Sequence, residues 1–362
     1  MKIVEVEPIL LQVPFSDGSS GRGLFPSAWT HLDLVLVKVT ADNGIVGWGE
    51  GFGYFCSHAV ASMISTAFRP LLVGVEVSDL FLMNKDLQRR TVLPGRYGIT
   101  TFALSGVDIA LWDLVAKSEH VSVSTLLGAR RRDSVKAYAS LVRYGDTDLI
   151  MGRIERALAE GFGEIKLHEI EMPIIRQALK AIGQSVPVTL DVNCNWSDTF
   201  TVETLAELEN LGIRWLEEPI FPPEDFRSLA RLRTTDVAIA AGENLCTSFQ
   251  FGEMIRCNAV DFLQPSVTKV GGITEYEMIR RMNEQAQLAV APHSPYFGPG
   301  YLATLQMAAV DERFDEFEYL YVDPVSWLYP DSILPRNGII NIPEGPGLGV
   351  EPSMEFIDRY RV

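Results

Sequence analysis

The sequence predicts an α/β fold, a closed (β/α) barrel of the TIM type preceded by a smaller α+β unit. Three observations carry that prediction. From about residue 134, short β-branched runs alternate with helical patterns eight times. The polar residues that end these runs recur evenly: Lys166, Asp191, Glu217, Glu243, Ser266 and His293 follow one another at intervals of 23 to 27 positions. One strand–helix unit needs about that length, so each residue stands at the C-terminal mouth of a successive strand, where barrel enzymes hold their chemistry. Residues 1 to about 130 follow a different plan, three strands and then helices.

In chain order, residues 3–13 and 33–40 read as strands. Ala41-Asp42-Asn43-Gly44 supplies turn chemistry, and residues 45–50 form a third strand. Helical patterns cover residues 59–68, 78–90 and 99–119; Leu104, Val107, Asp108, Leu111, Trp112 and Val115 mark one face of the last. Residues 18–23 (GSSGRG) read as a mobile loop. The eight barrel runs are VKAYASLV, GEIKLH, VPVTLDVN, IRWLEEP, DVAIAAGEN, AVDFLQPS, LAVAPH and FDEFEYL. Helices are expected between them at 148–160, 173–182, 201–211, 224–233, 271–285 and 300–310. Gly271-Gly272 lacks the remaining residues of a phosphate loop and is expected to open a helix.

With 47% hydrophobic and 22% charged residues, the 362-residue chain has an ordinary globular composition and room for a barrel plus a second domain. The net charge of −16 argues against a nucleic-acid partner. It also repels an anionic substrate, so a local cation would have to reverse the sign at the site. Cys56, Cys194, Cys246 and Cys257 show neither C-x-x-C nor zinc spacing and read as reduced thiols of a cytoplasmic protein. The N-terminus lacks a signal-peptide pattern, and no apolar run was expected to reach the ~20 residues of a membrane span.

Asp191, Glu217 and Glu243 end three consecutive strands and converge on one point. Three converging carboxylates repel unless a cation sits among them, and oxygen-only ligands suit Mg²⁺ better than zinc. Asn193, two residues past Asp191, is expected to hold a water or the substrate. Lys166 and His168 share a face by strand alternation and point into the mouth. Burial and a metal would lower the lysine's pKa, and a neutral His168 would serve as a base. His293 stands on the opposite wall. A metal-bound carboxylate with such a base beside it is the arrangement needed to remove a proton from the α-carbon. Lys269 is expected to pair with Glu218. Glu318 ends the eighth strand and either donates to a substrate carboxylate, if protonated, or holds a loop. Phe15, Phe25, Trp29, Phe52, Tyr54 and Phe55 form either a pocket roof or ordinary packing, with packing preferred.

These residues resemble the mandelate racemase/muconate lactonizing branch of the enolase superfamily over nearly the whole chain. The resemblance rests on Gly106-Val-Asp-Ile-Ala-Leu-Trp-Asp113, Leu126-Leu-Gly128, Leu190-Asp-Val-Asn193, Leu216-Glu-Glu-Pro219, Gly242-Glu-Asn244 and Pro346-Gly-Leu-Gly349. It implies a modified, enolase-like barrel over residues 131–334 and a capping domain over residues 1–130, to which residues 335–362 return. It implies one Mg²⁺ per subunit on Asp191, Glu217 and Glu243. Lys166 and His168 would occupy the Lys-x-Lys positions, His293 that of the racemase-group histidine and Glu318 that of the strand-eight acid. Segments 16–29 and 51–58 would close over the substrate, and the chain would assemble as a dimer or octamer. Two positions depart from the family pattern. His168 replaces the second lysine, and Ser266 stands where an aspartate usually orients the histidine. His293 is then expected to be a weaker base, or an acid toward a leaving hydroxyl.

The leading expectation is an acid-sugar dehydratase acting on a small carboxylate. Racemisation or epimerisation comes next, then cycloisomerisation. A non-catalytic metal scaffold has no need of Lys166, His168 and His293.

Overall fold

The computed structural model describes residues 1–18, 29–183, 185–233 and 236–362. The loop expected over residues 18–23, apart from Gly18, and Phe25 fall outside them. The chain opens with β1 (Ile3–Ser16), β2 (His31–Ala41) and β3 (Val46–Gly51). They form an antiparallel sheet, with Gly44 taking the left-handed conformation in the β2–β3 turn at φ +83°. The helix expected over residues 59–68 is broken: α1 (Ser57–Met63) runs through a π turn into α2 (Arg69–Leu72). After α3 (Leu80–Arg90) comes α4 (Ile99–Ser118), buried along most of its circumference rather than on one face. Contrary to expectation, α4 is long and apolar enough to cross a membrane; 83% of its apolar window is buried inside the fold.

Glycines let α4 lie against β3. A Cβ on Gly49 would stand 1.9 Å from the Gly106 carbonyl oxygen, and one on Gly106 would stand 2.7 Å from Gly51 N. That contact gives the first residue of the 106–113 motif its physical reason.

After α5 (Val123–Leu127) the barrel begins with β4 (Ser134–Ser140), α6 (Thr147–Ala159), β5 (Ile165–Leu167), α7 (Met172–Ile182) and β6 (Val188–Asp191). It continues through α8 (Asp198–Leu211), β7 (Trp215–Glu217), α9 (Phe226–Leu232), β8 (Ala238–Ala241), α10 (Ser248–Arg256) and β9 (Phe262–Leu263). Then follow α11 (Gly272–Ala286), β10 (Ala289–Val290), α12 (Pro299–Val310) and β11 (Phe317–Leu320). Strands β4 to β10 pair in parallel in sequence order, β11 pairs in parallel with β4, and a bridge between Val290 and Phe314 joins the ends of the ring. The expected α/β barrel with an α+β unit is thus the observed fold. Apolar periodicity gave no sign of α10, because only Phe251 and Met254 of that helix are buried. Tyr138, Trp215, Ala240 and Ala291 fill the barrel interior.

Carboxylates from the first unit cap helices of the barrel. Asp108 on α4 accepts from Thr274 N at 2.9 Å, at the start of α11, and Glu50 on β3 accepts from Gly300 N at 2.8 Å, at the start of α12. Trp112 Nε1 donates to Thr274 Oγ1 at 2.9 Å. Gly271 and Gly272 do open α11. Near the C-terminus, β12 (Asp323–Pro324) pairs with β1, β13 (Ile339–Asn341) pairs with β4 in the barrel, and α13 (Met354–Tyr360) precedes a bridge from Arg361 to Leu11.

Candidate active site

Asp191 and Glu217 are the last residues of β6 and β7, and Glu243 stands two past β8, after Gly242. Parallel pairing sets Asp191 beside Glu217, and one oxygen from each of the three acids lies within 4.8 Å of the others. Asp191 and Glu217 are fully buried. Burial and the neighbouring Asp191 push the Glu217 carboxyl well above the ordinary range. Asp191 is held low in spite of its burial, chiefly by Lys166 and His168. Its Oδ1 accepts from Asn193 N at 2.7 Å, whereas its buried Oδ2 makes no hydrogen bond of good geometry. An oxygen-only donor set in which three carboxylates converge and one is pushed up by its neighbour fits a hard divalent cation.

Lys166 Nζ stands 3.1 Å from Asp191 Oδ2, 2.6 Å from Glu217 Oε1 and 3.0 Å from Glu318 Oε1. In the metal-free site the lysine pKa is not lowered. Desolvation does lower it, but the three carboxylates outweigh that effect and hold the ammonium well above its ordinary value. Glu318 follows the same pattern. It is buried, yet Lys166 above all keeps it below the usual carboxylate range. Its oxygens accept from Ser140 Oγ at 2.9 Å and Ser294 N at 2.9 Å, so it ties β11 to β4 and to the His293 loop.

The two imidazoles contact opposite ends of the carboxylate cluster. His168, one residue past β5, has Nδ1 on the Leu141 carbonyl and Nε2 at 3.3 Å from Asp191 Oδ2. A carbonyl only accepts, so His168 Nδ1 carries a hydrogen in either charge state. His293, three residues past β10, has Nε2 at 3.1 Å from Glu243 Oε2 and Nδ1 near two hydroxyls, Ser266 Oγ at 3.3 Å and Tyr296 Oη at 3.0 Å. Burial pushes its pKa down to about 3, which keeps the ring neutral.

A cavity of about 550 Å³ opens above these groups. Polar side chains that line it are Arg143, His168, Asn193, Asn195, Asn244, His293 and Glu318. Trp29, Phe52, Tyr54 and Phe55 also line it, so the preferred packing reading of these aromatics gives way to a roof, against which Phe15 packs at 5.0 Å from Trp29. Lys269 does not pair directly with Glu218. Asn244 intervenes, accepting from Lys269 Nζ at 3.0 Å and donating to Glu218 Oε2 at 2.8 Å, and Nζ lies 4.9 Å above the Phe52 ring. Asn193 lines the cavity, although a left-handed φ of +42° rather than strand alternation aims it there.

Sequence reading missed Arg143 and Tyr296. Arg143 sits three residues past the end of β4, a position equivalent to those that were chosen on other strands. It donates to the His168 carbonyl at 2.8 Å and to Asn193 Oδ1 at 3.3 Å. Tyr296 carried no signal, because its side chain reaches back across its own loop.

Comparison with known proteins gives two family models, one for each part of the chain. "Mandelate racemase / muconate lactonizing enzyme, N-terminal domain" matches residues 27–128, and "Enolase C-terminal domain-like" matches residues 150–356. An arabinonate dehydratase of Saccharolobus solfataricus is 31% identical, over 91% of this chain and 91% of its own. A D-galactarolactone cycloisomerase of Agrobacterium fabrum is 29% identical, over 93% and 94%. A solved structure titled as a putative mandelate racemase from Bordetella bronchiseptica, complexed with 2-oxoglutarate/phosphate, superposes with a TM-score of 0.91 at 28% identity, over 100% and 98%.

Proposed function

Since the chain belongs to the mandelate racemase/muconate lactonizing enzyme family of the enolase superfamily, we propose that it is an Mg²⁺-dependent enzyme that removes the proton α to a carboxylate, dehydrating an acid sugar. The observation that carries this reading is a pair of imidazoles that flank one buried carboxylate cluster at the floor of a cavity. Asp191, Glu217 and Glu243 would hold the cation, which when bound supplies the positive charge that grips the substrate carboxylate and offsets the negative charge that develops on it. Lys166 neutralises the surplus of acids beneath.

His168 is the base. Its Nδ1–H is fixed on the Leu141 carbonyl, so Nε2 is the nitrogen that takes the α-proton. The C–H electron pair becomes the new double bond and the C–O pair leaves with the β-oxygen as hydroxide; the proton taken by His168 passes to solvent and completes the water, and the remaining enol tautomerises to the keto acid. His293, on the other wall, hydrogen-bonds that departing oxygen. Arg143, Asn193, Asn195 and Asn244 suit the hydroxyls of a polyol, and the aromatic roof suits its C–H faces. That roof, with the lactone cycloisomerase among the relatives, also favours a second reading in which the leaving group is the ring oxygen of a cyclic sugar acid. The four cysteines are unpaired, in keeping with a cytoplasmic site of action.

The test is incubation with Mg²⁺ in D₂O against a panel of aldonates, aldarates and their lactones, read by NMR. A keto product supports dehydration, and an isomer formed from the lactones alone supports the second reading. Deuterium in otherwise unchanged substrate would replace both with racemisation. Absence of Mg²⁺ binding would sink the proposal.

A further inference from the structure

His293 has an unusual pair of neighbours. Ser266 and Tyr296 are both buried, their hydroxyls are hydrogen-bonded to each other, and both face Nδ1, with Tyr296 the nearer. The Tyr296 backbone is held from the first unit of the fold on both sides. Tyr54 Oη donates to the Pro295 carbonyl at 2.5 Å, and Gly300 N donates to Glu50 at 2.8 Å.

We propose that Tyr296, backed by Ser266, is the positioning residue of His293: its hydroxyl donates to Nδ1 and keeps the ring hydrogen on Nε2, the nitrogen beside Glu243. Two contacts carry this. At Nε2 the partner is a carboxylate oxygen at 3.1 Å, which only accepts and so needs an N–H opposite it. At Nδ1 the partners are hydroxyls, which can donate. A neutral imidazole has one N–H, and both ends of the ring put it on Nε2. Ser266 donating to Tyr296 Oη frees the phenolic hydrogen for Nδ1. His168 is held the other way, because its Nδ1 faces a carbonyl. His168 thus has a hydrogen fixed at Nδ1, and His293 one at Nε2. A carboxylate in place of Ser266 would accept only and would draw the hydrogen to Nδ1. The use of this tautomer as a donor to the leaving oxygen rests on the dehydratase reading; the tautomer itself does not.

The test is ¹⁵N NMR of histidine-labelled, metal-free protein at neutral pH, with the His293 signals among five histidines assigned by His293→Gln. The wild type should show His293 protonated at Nε2 and bare at Nδ1. Tyr296→Phe, which keeps the ring and its packing, should move hydrogen toward Nδ1. Ser266→Asp should reverse the pattern to Nδ1–H, and it serves if the first variant fails to fold. A wild-type ring protonated at Nδ1, or an unchanged pattern in both variants, overturns the proposal. With a substrate in hand, Tyr296→Phe should lower kcat by roughly 10- to 100-fold, the usual range for a group supporting a site residue, with KM little changed. Failure of the wild type to turn over any acid sugar would remove the dehydratase reading and leave the NMR result standing.

Discussion

At Glu217 a buried carboxylate faces Asp191, and among the described residues the only cation within ion-pairing distance of either carboxylate, His168 aside, is Lys166. A divalent ion relieves that repulsion, so Mg²⁺ should stabilise the fold; at about 100 times its Kd the gain is about 2.7 kcal/mol. In a domain of this size that raises Tm by several degrees. Glu217→Gln should lose most of the gain, and thermal scans with Mg²⁺ and with EDTA check it. Equal Tm values in both buffers would count against the cation site. The histidines should separate in one experiment. His168→Asn should lose α-proton exchange and keto product together, by about 10²- to 10⁴-fold. His293→Asn should retain exchange while keto product falls, and D₂O NMR reads both. At this scale Lys166, His168, His293 and the three acids were legible in the sequence because strand ends recur at a fixed interval. The protonation of Lys166 and Glu318 was not legible. It depends on a contact between β5 and β11, whose residues 166 and 318 stand 152 positions apart.

Among the secondary-structure elements, α4 and β3 pack backbone against backbone at their glycines. Gly106→Ala would drive a methyl group to 2.7 Å from Gly51 N and 2.6 Å from Val37 Cγ2. Overpacking of that kind typically costs about 1–3 kcal/mol, occasionally more. Gly152 in α6 is the contrast. It is exposed, and a Cβ there would meet nothing within 4 Å. Gly152→Ala should stabilise by roughly 0.5–1 kcal/mol. Denaturant midpoints measured side by side decide both, and a stabilised Gly106→Ala would refute the packing account. Most helices were legible because their apolar stripes face the sheet. The π turn after α1 and the shallow α10 were not, since the first is a local change of hydrogen-bond period and the second buries only two side chains.

Across the whole molecule, buried acids bind the first unit to the barrel. Glu50 and Asp108 cap α12 and α11, and burial pushes the carboxyl of each up to about 7. An acid whose pKa is raised on folding adds stability that is complete below its unfolded value near 4.5 and is lost as pH rises through about 7. Glu50→Gln keeps an oxygen for Gly300 N and should flatten that part of the profile. The wild-type advantage at pH 4.5 should shrink or reverse by pH 8, in chemical denaturation at the two pH values. Parallel slopes for the two proteins would rule this out. By itself the sequence determined the barrel, its N-terminal α+β unit and the residues that end the strands. Those follow from hydrophobic period and from spacing along the chain, which are local properties. Tertiary structure alone decided which groups face each histidine nitrogen, that Tyr296 and Ser266 meet at His293 Nδ1, that Asn244 intervenes between Lys269 and Glu218, and that the aromatics line the cavity. Each of these depends on groups far apart in sequence meeting at hydrogen-bond or van der Waals distance, and no pattern along one chain records such a meeting.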